Sequence, residues 1–172
     1  MTAMPVDRLR WLILALLCSS TAINYIDRQA LAVLLPRLRE DLGISSSEYG
    51  TITTLFLLAY TLAQIAGGMV IDRLGTRAGF VLFITAWSLA ASGHALAAGA
   101  VSLAVLRFLL GLSEAGNWPA GGKAVAEWFP RHRRAFAMGV FDGGSALGAI
   151  LAQPLVATLA ILFGWRAAFV VT

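Results

Sequence analysis

The chain has 172 residues, 59% of them hydrophobic and only 13% charged, with a net charge of +4. Soluble domains carry roughly a quarter charged residues, so this composition excludes an ordinary water-soluble domain and points into a membrane. The single cysteine, Cys18, excludes an intrachain disulfide, and the arginines lie mostly between apolar segments, where membrane topology accounts for them better than a nucleic-acid partner does.

A bilayer-crossing helix needs about 20 mostly apolar residues, and the chain offers such stretches at about 11–35, 49–71, 78–98, 103–128 and 135–163, with a sixth begun at 167–172. The first stretch is too long for the apolar part of a signal peptide and lacks a small-x-small cleavage site. Pro36 and the polar run 37–41 follow it. Gly43 and three serines then mark a loop, with a serine expected to cap the next helix ahead of Glu48. Residues 72–77 form a short polar turn, 99–102 a tight connection, Pro130 with the basic run 131–134 a loop, and Gly164-Trp165-Arg166 another turn. A span begun this close to the last residue cannot cross, so the chain is expected to be a fragment of a longer protein.

Arginines sort by side. Arg8, Arg10, Arg73, Arg77, Arg131, Arg133 and Arg134 fall on one side, and Arg37, Arg39 and Arg166 on the other. The positive-inside rule then puts the N-terminus in the cytoplasm. There is also an internal echo. Gly75-Thr76-Arg77-Ala78-Gly79-Phe80-Val81 opens the third span, and Gly164-Trp165-Arg166-Ala167-Ala168-Phe169-Val170 the sixth. Three spans followed by three spans that start from the opposite side make an inverted repeat, an architecture of secondary transporters whose sites lie near the midplane.

Charge inside the apolar stretches is the strongest pointer to function, because it is expensive there unless it pairs or faces water. The first span carries Asn24-Tyr25-Ile26-Asp27-Arg28. The fourth carries Arg107, Gly111 and Glu114 on one helical face, with Asn117 extending the polar stripe and Pro119 opening the hydrogen-bond ladder. Arg107 and Glu114 are about 10 Å apart along the axis, too far for a direct pair, so each is expected to look across to another helix. Asp27 and Arg107 lie at compatible depth and are expected to pair, leaving Arg28 free for a substrate anion. Tyr25 is about 60° from Arg28 around the helix, near enough to line the same cavity. Tyr60 and Gln64 share a face of the second span; interhelical hydrogen bonding serves as well for Gln64. On the fifth span, Ser145 and Asp142 lie among Gly139, Gly143, Gly144 and Gly148, a glycine row that reads as a packing seam, with Asp142 expected to snorkel to the interface or to pair with Lys123. His94 is expected at the surface and His132 in a solvated loop. The sequence offers neither a Ser/His pair at depth nor a cluster of metal ligands, so neither enzyme nor metal or cofactor chemistry is expected.

The run Gly68-x-x-x-Asp72-Arg73-x-Gly75-Thr76-Arg77 is the most specific motif. Gly68 would allow close helix approach, Gly75 a tight turn, Asp72 a helix cap or a pair with an arginine, and Arg73 and Arg77 a cytoplasmic anchor. It resembles the signature loop between the second and third helices of the major facilitator superfamily. With Asn24 to Arg28, Gly111-Leu112-Ser113-Glu114-Ala115-Gly116-Asn117-Trp118-Pro119-Ala120 and Glu127-Trp128-Phe129-Pro130, the chain resembles the N-terminal half of an anion:cation symporter of that superfamily, in particular bacterial hexuronate and sugar-acid transporters. The resemblance implies an all-α membrane bundle, the six-helix half of a twelve-helix fold, with the second half absent. It implies that Arg28 meets a substrate carboxylate, that Asp27 and Glu114 are the protonatable pair, that Arg107 tunes Asp27, that Tyr60 lines the cavity and that Ser145 or its neighbours meet sugar hydroxyls. The implied partners are an organic anion, protons, the bilayer of the bacterial inner membrane and the second half, with no nucleic acid. The alternative is a membrane sensor or assembly partner that uses a transporter fold without transporting.

Overall fold

The computed structural model describes residues 6–172. Six α-helices follow one another: α1 (Val6–Leu42), α2 (Ser46–Leu74), α3 (Thr76–Gly93), α4 (Ala100–Glu114), α5 (Asn117–Trp128) and α6 (Arg131–Val171), with a 3₁₀ turn at His94–Leu96. Five helical segments are long and apolar enough to cross a bilayer, α4 and α5 together making one of them. Among the described residues there is no strand.

The helix boundaries have local causes. Ser45 caps α2: its hydroxyl accepts from the Glu48 N–H at 3.2 Å, and the Glu48 carboxylate accepts from the Ser45 N–H at 2.8 Å. Such a box is worth about 1 kcal/mol. Pro36 does not end α1, contrary to the sequence expectation. Proline removes one backbone bond, and the following turn is held by tertiary contacts: Leu38 is fully buried, and the Trp165 indole N–H donates to Asp41 at 2.6 Å. The fourth span breaks between α4 and α5 because Pro119 has no N–H to offer the carbonyl of Ala115, four residues back, and its ring crowds that carbonyl. Pro119 thereby falls in the first turn of α5, where a missing N–H costs little.

Gly75 has φ 80° and ψ 161°, and Gly164, inside the long α6 segment, has φ 84° and ψ 162°. Both are left-handed values that a side chain resists. The two echoing sequence segments therefore turn in the same way, and Gly164 divides the α6 segment into two helices. Packing follows the same symmetry. The chief contacts of α1 are with α6, and those of α2 with α4. Exchanging the first three spans with the next three maps one pair onto the other.

Glycines set how closely these pairs approach. A Cβ at Gly144 or Gly148 would run into the carbonyls of Cys18 and Ala22 on α1, and one at Gly111 into the carbonyl of Phe56 on α2. The glycine row of the fifth span is thus a seam, but only through Gly144 and Gly148; Gly139 and Gly143 face open space. Large apolar side chains such as Leu16, Ile65, Val101 and Ile161 stand exposed, while Thr21, Asn24, Asp27, His94, Arg107, Ser113, Glu114 and Asn117 are buried. Apolar outside and polar inside is the arrangement suited to a lipid solvent.

Candidate functional site

Asn24, Arg28, Arg107 and Glu114 meet where α1 and α4 approach each other. Asn24 and Arg28 stand one turn apart on α1, so their side chains meet: Arg28 Nη2 donates to Asn24 Oδ1 at 3.3 Å. From α4, Glu114 reaches the same arginine. Its Oε2 accepts from Arg28 Nη2 at 2.8 Å and from Nε at 3.1 Å. Glu114 is fully buried and Arg28 is 22% exposed, so one member of this ion pair looks into open space and the other does not. The arginine is also boxed by aromatic rings. Its guanidinium carbon lies 4.5 Å from the Tyr60 centroid, 4.9 Å from Tyr25 and 5.3 Å from Phe56. Ring faces carry negative potential and attract a delocalised cation.

This pairing differs from the one expected. Arg28 is not free: Glu114 holds it. Nor do Asp27 and Arg107 form a direct pair. Arg107 donates through Nη2 to the main-chain oxygen of Asp27 and through Nη1 to that of Arg28, both at 3.4 Å. Among the described residues Asp27 forms no ion pair, and Asp27 Oδ1, Arg107 Nε and Glu114 Oε1 have no hydrogen-bond partner. The reason is rotational. Successive residues on α1 point about 100° apart, so when Arg28 faces Glu114 the neighbouring Asp27 side chain is turned aside, and Arg107 reaches the backbone instead.

Of the other expected site residues, Tyr25 and Tyr60 join Arg28 and Glu114. Asn117 is fully buried away from them: its Nδ2 donates to Thr21 Oγ1 at 3.2 Å, and its Oδ1 accepts from Ser20 at 3.4 Å. It ties α5 to α1. The Ser145 hydroxyl donates to the carbonyl of Asp142 on its own helix at 2.6 Å. Gln64 is half-buried and makes no side-chain hydrogen bond among the described residues. Asn24, Phe56 and Thr21 were missed as site residues. The signal was present in their register: Thr21, Asn24 and Arg28 are spaced by three and four on α1, and Phe56 and Tyr60 by four on α2.

His94 is also not where the sequence suggested. It is buried, its Nδ1–H donates to the Ala90 carbonyl at 2.7 Å, and its ring stacks on Phe169 at 5.0 Å. The 3₁₀ turn carries it back under α6, a tertiary effect that hydropathy does not register. His132 is exposed, as expected.

The loop motif is tied to α5. Asp72 neither caps a helix nor meets an arginine; it pairs with Lys123 at 2.9 Å, and Lys123 also donates to the Ile71 carbonyl at 3.3 Å. Lys123 is therefore not at Asp142. Thr76 donates to Glu127 at 2.8 Å, while Arg73 and Arg77 are exposed. The close helix approach belongs to Gly67, against Ala115 and Gly116; a Cβ at Gly68 would meet open space.

A bundle with an apolar exterior and charged side chains gathered in its interior is that of a multi-pass membrane protein. Residues 17–172 match the Major Facilitator Superfamily, and the chain belongs to that family. It is 40% identical over 97% of its length to the galacturonate transporter of Dickeya chrysanthemi, and 39% identical over 97% to the hexuronate transporter of Escherichia coli K12. It covers 48% and 39% of those proteins, so the chain spans about half the length, or less, of the curated relatives it matches. Among solved structures, it resembles a bacterial homologue of the human lysosomal transporter Spinster in an inward-facing, occupied conformation, with a TM-score of 0.85 and 25% identity, covering 94% of this chain and 41% of that one. The fold is therefore an all-helical part of the major facilitator architecture, and the family is one of transporters rather than enzymes.

Proposed function

We propose that the protein works with a second helical half as a proton-coupled symporter of an organic anion, a hexuronate or related sugar acid, by alternating access. The observation that carries this reading is the ion pair between Arg28 and Glu114: a cation set in aromatic rings and partly open to a cavity, neutralised by a fully buried carboxylate. A substrate carboxylate needs that cation, and ionised Glu114 competes for it. Protonating Glu114 removes the competitor, so proton and anion bind together, which is the requirement for symport. Asp27, buried and outside any ion pair among the described residues, serves as the second protonatable group, and Arg107 acts on it through the field and through the backbone at positions 27 and 28. Tyr25 and Tyr60 pack the cation, and Ser145, Gln64 and Asn117 remain candidate contacts to the sugar or its surroundings.

The turn carrying Gly68, Asp72, Arg73, Gly75 and Arg77 is the conformational element, latched here to Lys123. The arginine distribution supports a cytoplasmic N-terminus in a bacterial inner membrane, and the names of the relatives support the substrate class. The test is uptake into proteoliposomes containing the full-length protein. Arg28→Ala abolishes hexuronate binding and uptake, and Glu114→Gln abolishes accumulation driven by a pH gradient. Normal binding by the first variant or uphill accumulation by the second refutes the assigned role.

A further inference from the structure

The aromatic setting of Arg28 continues beyond the ion pair. A cavity of about 180 Å³ between α1 and α2 is lined by Arg28, Gln29, Tyr49, Thr53, Phe56 and Arg107, among others. On α2, Tyr49, Thr53, Phe56 and Tyr60 are spaced by four, three and four, so they form one stripe facing one way. Phe56 and Tyr60 at one end of the stripe pack the guanidinium of Arg28. Thr53 and Tyr49 at the other end lie one and two turns nearer the start of α2. The cavity thus begins at the anion-binding cation and leads away from it.

Its polar groups suit a neutral polyol. Tyr49 is half-buried and its hydroxyl makes no hydrogen bond among the described residues. The Thr53 hydroxyl donates to the carbonyl of Tyr49 at 2.9 Å and so keeps its oxygen as an acceptor. Gln29 is exposed and offers an amide with both donor and acceptor. Arg107, buried and with Nε unpartnered, adds positive potential to the same wall. Nothing in this set is acidic, so an anion entering here meets no like charge, while the apolar Leu31, Ala32 and Leu57 suit the carbon faces of a sugar.

We infer that this cavity is a subsite for the hydroxyl-bearing end of a polyhydroxylated monocarboxylate whose carboxylate rests on Arg28, with Gln29, Tyr49 and Thr53 as its specificity-determining contacts. The inference rests on the proposed function and adds to it the direction in which the substrate lies.

The experiment uses the full-length protein, with galacturonate as probe and acetate as competitor. Acetate reaches only the Arg28 end. Each lost hydrogen bond weakens binding by roughly 2- to 10-fold. Tyr49→Phe with Thr53→Val, and separately Gln29→Ala, therefore raise the Kd for galacturonate by about that factor per contact, leave the inhibition constant of acetate unchanged and leave the melting temperature intact. Gln29 is exposed, so its variant folds even if the paired variant does not. Unchanged galacturonate affinity in these variants overturns the subsite, as does an equal shift for acetate. If instead Arg28→Ala binds galacturonate like the parent, the underlying reading fails and takes the subsite with it, so the two failures are told apart.

Discussion

Glu114→Gln isolates the competition on which the proposed coupling rests. The substitution keeps the shape of the side chain and an oxygen able to accept from Arg28, but removes the charge. In the parent, one buried carboxylate oxygen accepts two guanidinium N–H groups, at 2.8 and 3.1 Å. Hydrogen bonds to charged groups contribute about 1.5–3 kcal/mol and neutral ones about 0.5–1.5 kcal/mol. Over the two bonds, an incoming carboxylate therefore displaces the glutamine more easily by about 2–3 kcal/mol, which is roughly 30- to 150-fold in affinity. The sign with pH follows. Ionised Glu114 competes with the anion and neutral Glu114 does not, so the parent binds more tightly as pH falls. The variant binds at the tight level throughout, and its affinity no longer follows pH. Calorimetric titration of galacturonate into the purified full-length protein at several pH values reads both effects. In parallel, the variant exchanges substrate across proteoliposomes but does not accumulate it under a pH gradient. A pH dependence identical to that of the parent would refute the competition.

Three further outcomes follow from the packing. Gly148→Leu drives a side chain into the Ala22 carbonyl of α1 and lowers stability by about 1–3 kcal/mol in a thermal melt, whereas Gly139→Leu, which meets open space, leaves the melt unchanged. Asn117→Ala strands the buried hydroxyl of Thr21 and costs about 1–3 kcal/mol, read in the same assay. Lys123→Met breaks a pair whose acid is largely exposed, so stability changes by less than about 1 kcal/mol, while the rate of uptake falls if the latch to Asp72 governs the conformational cycle.

Much of this was legible without coordinates because the lipid solvent imposes it. Backbone groups must be satisfied within a segment, so long apolar runs become helices, and their lengths and flanking arginines can be read directly. The turns were readable for a similar reason: only glycine easily takes the positive φ found at both Gly75 and Gly164, and the two surrounding segments share a sequence pattern. The charged residues at membrane depth also announced themselves, since no bland position tolerates them. That selected Asp27, Arg28, Arg107 and Glu114 as a group.

Partners within that group were another matter. Two helices at similar depth allow either arginine to meet either acid, and the choice depends on how each helix is rotated about its axis. That rotation is set by remote packing: Gly144 and Gly148 against α1, and Gly111 against α2. The result joins Arg28 to Glu114 and turns Asp27 aside. The same holds for Asn117, which ties α5 to α1; for His94, folded under α6; and for Lys123, drawn to Asp72. Composition and spacing determined that this chain is apolar enough to enter a membrane, and which charged residues lie inside its apolar stretches. Which charge holds which was decided only by the assembled bundle, because a side chain's partner is a property of two surfaces, and each helix's sequence describes one.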